Sequence, residues 1–103
     1  TDENFSYQLG KIQLNPSTHQ VFKNEKEIKL TQKEFSLLEY LLKHKEQVCT
    51  RKKILENVWD INFDYDSGVI DVFINALRKK LHLSAEENYI QTVRGVGYIA
   101  KEE

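Results

Sequence analysis

The hydrophobic pattern of this chain changes period at residue 31, and that change restricts the folds open to it. Before it, apolar residues recur every second position: Phe5, Tyr7 and Leu9, then Ile12 and Leu14 after Gly10. NPSTHQ at 15–20 is a turn cluster, Val21 and Phe22 restart a strand, Asn24-Glu25-Lys26 turns again, and Ile28 and Leu30 follow. Four short antiparallel strands are predicted. At Thr31-Gln32-Lys33-Glu34 the spacing becomes that of a capping box, with Thr31 as N-cap and Glu34 reaching back to it. Phe35, Leu38, Leu41 and Leu42 then recur at helical intervals to about His44. Strands followed by helices, in segregated runs, define an α+β protein.

Two more helices are expected. Thr50 is placed to cap one whose buried stripe is Ile54, Leu55, Val58 and Trp59, after a short apolar link at Val48-Cys49. The other runs from about Ser67 to His82, with Ile70, Ile74, Leu77 and Leu81 on its core face. Its opposite face carries Gly68, Val72, Asn75, Ala76 and Lys79, flanked by Asp71, Arg78 and His82. Beyond a polar stretch at 84–88, YIQTV and GYIA read as two strands joined by Arg94-Gly95-Val96-Gly97, the two glycines serving as turn residues.

A G-x-G sequence can also cradle phosphate, but that chemistry needs a helix N-terminus directly after the glycines. Here Gly97 is followed by Tyr98 and a strand. His19, His44 and His82 stand singly, without the spacing of a metal site, and Cys49 is the one cysteine. A lone thiol agrees with a reducing, cytoplasmic setting. No catalytic residue, cofactor or metal ligand is expected, and no apolar run is long enough for a membrane span.

The formal net charge of −1 argues against binding nucleic acid by bulk charge. The charge is nonetheless segregated: four aspartates and no basic residue in 60–71, against RKK at 51–53 and RKK at 78–80. The outer face of the third helix is likewise more than a solvated surface. Small apolar groups can touch a thymine methyl, asparagine can read adenine, and arginine or lysine can hold phosphate or guanine. Packing of Val72 under a neighbouring element is the alternative. A helical pair, a long two-faced helix and a hairpin, in that order, are the plan of a winged helix-turn-helix.

The runs LTQKEFSLLEYLL, VCTR, ILENVW, VIDVFINALRKKL and YIQTVRGVGYIA, in that order and spacing, resemble the OmpR/PhoB-type effector domain of bacterial two-component response regulators. The resemblance covers about residues 5–100. It implies a four-stranded N-terminal sheet, three helices and a C-terminal hairpin wing. It further implies an effector domain at 5–101 preceded by a linker remnant at 1–4. Within a longer regulator, the phosphoacceptor receiver domain would lie outside this sequence, an expectation that the absence of methionine supports. The implied partners are double-stranded promoter DNA, bound as a dimer in the full-length protein, RNA polymerase, and a sensor histidine kinase acting through the receiver.

Carried over residue by residue, the resemblance makes 67–82 the recognition helix and about 89–100 the wing. Asn75 matches a base-contacting position and Arg78 a phosphate-binding arginine. Thr92 and Tyr98 match positions near backbone phosphates, Arg94 one that reaches the minor groove, and Trp59 one that meets phosphate or packs in the core. Val72, Ala76 and Lys79 complete the outward face. Asp60, Phe63, Asp64 and Tyr65 lie in the loop where some members contact polymerase. The chain also departs from the pattern. Gly68-Val69 replaces a polar pair, Phe73 a usual histidine, and Ala76 a frequent arginine. Each change removes a candidate contact, so binding weaker and less salt-dependent than in basic relatives is expected. A winged helix that contacts protein instead of DNA is the second reading.

Overall fold

The computed structural model describes residues 7–59, 68–83 and 89–101. The expected linker at 1–4, the start of the third helix at Ser67, the polar stretch at 84–88, and Asp60, Phe63, Asp64 and Tyr65 of the acidic loop lie outside the described residues.

Four strands, β1 (Tyr7–Leu9), β2 (Ile12–Asn15), β3 (Gln20–Lys23) and β4 (Lys26–Ile28), form an antiparallel meander in chain order. This is the predicted sheet, except that β4 takes in Lys26, expected in the turn, and stops at Ile28, short of the expected Leu30. Lys23 pairs with Lys26 across Asn24 and Glu25, both at positive φ, as a two-residue hairpin turn requires. Asn15 accepts from Ser17 N at 2.9 Å to start the longer turn before β3. The alternation buries Leu9, Ile12, Leu14 and Val21 on one face.

Helix α1 (Gln32–Lys43) packs on that face through Phe35, Leu37, Leu38, Leu41 and Leu42. Its capping box is complete: Glu34 N donates to Thr31 Oγ1 at 3.3 Å, and Thr31 N to Glu34 Oε1 at 2.9 Å. Helix α2 (Arg51–Ile54) is capped by Thr50, whose hydroxyl accepts from Lys53 N at 3.2 Å. The expected regular helix through Trp59 is corrected in one respect, since residues Leu55–Trp59 widen into a π-helical turn. Asn57 Nδ2 donates to Lys53 O at 2.7 Å, so a side chain occupies a carbonyl that the regular ladder would use.

Helix α3 (Gly68–Lys80) inserts Ile70, Ile74 and Leu77 into the core as its periodicity predicts, and Leu81 follows them in the terminating turn. The helix ends two residues earlier than the expected His82. His82 takes positive φ, its N–H donates to Lys79 O at 3.1 Å, and Leu83 N donates to Arg78 O at 3.1 Å. That pair of bonds is a Schellman stop. Lys23 then donates to His82 O at 2.8 Å, tying the helix end to β3.

Strands β6 (Ile90–Val93) and β7 (Gly97–Ala100) form the predicted hairpin. The Val48-Cys49 link is more than a connection: Cys49–Thr50 forms β5, which pairs with Tyr98 and Gly97 to give a second sheet of order β5-β7-β6. Two residues carry too little alternation to be recognised locally as a strand, so only the arrival of β7 alongside defines it. No helix among the described residues is long and apolar enough to cross a membrane.

Candidate nucleic-acid interface

The outward face of α3 is open. Val72 is 65% exposed, Asn75 and Lys79 are exposed, and Ala76 is half-buried between them. The packing alternative for Val72 therefore does not hold among the described residues. One neighbouring departure, Phe73, has a structural role instead. Phe73 meets Trp59 edge to face at 5.1 Å, and Lys33 Nζ lies 5.9 Å from the Trp59 ring centre while donating to Val58 O at 3.0 Å. Trp59 is thus half-buried and packed against the core.

Beside this face stands the hairpin. Val96 N donates to Val93 O at 2.9 Å, and Gly95, third residue of that turn, has φ of 76° with nothing near an added Cβ. The turn needs a residue at positive φ there, and glycine supplies it without strain. Arg94 sits at the exposed tip. Gly97 is a different case, and its expected role as a turn glycine is corrected. It lies within β7, where a Cβ would run into the Cys49 carbonyl oxygen and come within 2.8 Å of Thr50 Cα. Glycine there lets β7 approach β5 closely.

Helix and hairpin are joined by two polar links. Arg78 donates to Ile90 O from Nε at 3.2 Å and from Nη2 at 2.8 Å, and Nη2 also reaches Thr92 Oγ1 at 3.2 Å. Burial pulls the Arg78 guanidinium down from its ordinary value while Asp71 raises it. The resemblance gives Arg78 to phosphate; here Nε and Nη2 are engaged by the hairpin, so the residue also holds the wing to α3. Thr92 is exposed, and its hydroxyl, accepting from Arg78, keeps its own hydrogen for an outside acceptor.

The second link centres on Tyr98, which is only 3% exposed. Its hydroxyl donates to Asp71 Oδ1 on α3, and Arg51 Nη1 lies 3.0 Å from the same oxygen. The Arg51 guanidinium also stands 5.3 Å from the Tyr98 ring centre, and Arg51 N donates to Val96 O at 3.3 Å. Tyr98 therefore faces inward, toward the α3 flank, instead of presenting its hydroxyl outside. Arg51 is the residue that sequence reasoning missed. The basic run at 51–53 was visible, but nothing local shows that its first member closes on residues 20 and 47 positions away.

The RKK cluster at 78–80 is divided by the fold. Arg78 serves the hairpin, Lys80 Nζ donates to Glu34 Oε1 at 2.7 Å, and Lys79 stays on the outward face. Burial raises the Glu34 carboxyl, but the Lys80 contact and the bonds with Thr31 together bring it below its ordinary value. Burial pushes the Cys49 thiol up, as suits an unreactive core cysteine. No group of three metal-ligating side chains occurs among the described residues.

A four-stranded sheet, a three-helix core and a hairpin beside an open helix face define a winged helix-turn-helix. The family model for "Transcriptional regulatory protein, C terminal" matches residues 25–100, and the chain belongs to that family. The uncharacterized transcriptional regulatory protein YkoG of Bacillus subtilis is 46% identical over 90 residues, covering 87% of this chain and 40% of YkoG. Response regulator MprA of Mycobacterium sp. (strain KMS) is 42% identical over 91 residues, covering 88% of this chain and 40% of MprA. The chain thus spans about 40% of the length of these relatives. Among solved structures, the Klebsiella pneumoniae RstA DNA-binding domain in complex with the RstA box is similar with a TM-score of 0.84 and 33% identity, covering 95% of this chain and 98% of that one. The DNA-binding domain of CpxR from E. coli matches with a TM-score of 0.84 and 28% identity, covering 94% and 96%.

Proposed function

We propose that this chain binds double-stranded DNA sequence-specifically, as the output domain of a two-component response regulator that controls transcription. The observation that carries the reading is the open face of α3, with Val72, Asn75 and Lys79 exposed, set beside a hairpin that presents Thr92 and Arg94. A helix of this kind enters the major groove, and the wing lies over the adjacent backbone or minor groove. In that placement Asn75, Val72 and Ala76 face base edges, Lys79 and Thr92 face phosphates, and Arg94 reaches the minor groove. Trp59, Arg78 and Tyr98 act mainly by holding these elements in place. The RstA domain, similar over nearly all of this chain, is bound to its box in the solved complex, which supports the reading.

The same reading extends to the rest of the regulator. A receiver domain addressed by a sensor histidine kinase would supply control, dimerisation on DNA would raise affinity, and the loop containing Asp60, Phe63, Asp64 and Tyr65 would meet RNA polymerase. The setting would be the cytoplasm, and the role would be binding, without catalysis.

The test is retention of a random-sequence duplex library on the full chain at rising salt, followed by sequencing of what stays bound. The expected result is an enriched motif whose binding weakens as salt rises. Retention of no motif would overturn the proposal in favour of a protein-contacting winged helix.

A further inference from the structure

We propose that the half-site under α3 is read as A·T pairs, with Asn75 recognising an adenine and Val72 contacting a thymine 5-methyl group. The inference rests on the DNA-binding reading above and specifies what that site selects. It begins with the burial pattern of α3. Ile70, Ile74 and Leu77 are buried and Val69 and Phe73 pack on the core, yet Val72 is 65% exposed on the same helix. A single exposed aliphatic is ordinary on a protein surface, but this one sits on the outward face of α3 next to the exposed Asn75. The thymine methyl is the one apolar group that a major-groove base edge presents.

The neighbouring positions narrow the choice further. Asn75 is exposed three residues on, so its side chain lies beside Val72 on one face. A carboxamide matches the paired donor and acceptor of adenine N6 and N7. Reading guanine instead calls for a presented arginine or lysine. Arg78 is held at the hairpin, with Nε and Nη2 bonded to Ile90 O and Thr92 Oγ1. Lys79 is in the last turn of α3, whereas recognition helices address bases with their N-terminal residues, which places Lys79 nearer the backbone. Gly68 has no side chain to offer, and Ala76 adds only a methyl beside the valine. The described part of the face that can reach bases is therefore one amide flanked by aliphatic groups.

The experiment starts from the motif that the full chain enriches from random duplex DNA. Wild type, Asn75→Ala and Val72→Ala are titrated against that duplex, against single A·T to G·C changes, and against duplexes with uracil in place of each thymine. Both side chains are exposed, so both variants should fold; circular dichroism checks this. At one A·T pair, wild type should discriminate against G·C by about tenfold or more and Asn75→Ala should lose that preference. At one thymine, uracil should weaken wild type by about fourfold, the worth of one buried methyl, and leave Val72→Ala unaffected. A motif with G·C at the pairs whose discrimination Asn75→Ala removes would overturn the inference while leaving DNA binding intact. Equal binding of every uracil duplex by wild type would overturn its Val72 half. Enrichment of no motif at all would remove the DNA-binding reading itself.

Discussion

Tyr98, on the second strand of the hairpin, donates its hydroxyl hydrogen to Asp71 on the flank of α3, and Arg51 from α2 closes on the same carboxylate. Helix-turn-helix and wing meet at one oxygen. The arrangement also turns an acidic side chain of α3 toward a cation and a phenol. Tyr98→Phe keeps the ring and its packing but removes this donor. We predict a stability loss of about 1–2 kcal/mol in denaturant unfolding. A double-mutant cycle with Asp71→Asn should give a coupling of about 0.5–3 kcal/mol, and additive losses would break the proposed link.

The two hairpin glycines should respond to alanine for different reasons. Gly95→Ala meets only the strain of positive φ, about 1–2 kcal/mol, and Gly95→Asn should recover part of it. Gly97→Ala forces β7 away from the Cys49 carbonyl and Thr50, with an expected loss of about 1–3 kcal/mol that no other side chain rescues. Thermal unfolding of these three variants and of Gly97→Asn distinguishes the cases. Rescue of Gly97→Ala by asparagine in place of alanine would show that strand contact is not the cause.

Glu34 should make stability depend on pH. Its carboxyl is lower in the folded chain than the ordinary 4.5, so its contribution is complete above that value and is lost as pH falls through the depressed folded value. Glu34→Gln removes the ion pair with Lys80, and a deficit of about 1–2 kcal/mol is expected at pH 7. That deficit should shrink in acid, below pH 4.5. A deficit of equal size at pH 7 and in acid would assign the effect to packing.

Arg94 and Arg78 should separate function from structure. Arg94→Ala, at the exposed tip, is expected to change stability by less than about 0.5 kcal/mol. It should also weaken binding to the selected duplex and reduce the salt slope by about 0.9. Arg78→Ala leaves Ile90 O without its charged donor and should cost about 1–3 kcal/mol of stability. Equal destabilisation by both substitutions would contradict the division of roles.

Much of this protein is determined within short windows of its sequence. The meander follows from period-two alternation and turn residues, the start of α1 from the Thr31–Glu34 pair, and the core face of α3 from Ile70, Ile74 and Leu77. These are legible because each depends on bonds or faces spanning a few residues. The family runs likewise placed Asn75 and Arg94 on the candidate interface. Other features depend on what arrives from far along the chain. Gly97 reads as a turn residue until Cys49–Thr50 lies against it. Arg78 reads only as a phosphate ligand until the Ile90 carbonyl appears beside it as a second partner, and Val72 as packed or open until its surroundings are known. A guanidinium or a branched aliphatic is suited equally to a partner inside the protein or outside it. Which partner it has is decided by the tertiary structure, because only folding places a competing carbonyl, carboxylate or strand within reach.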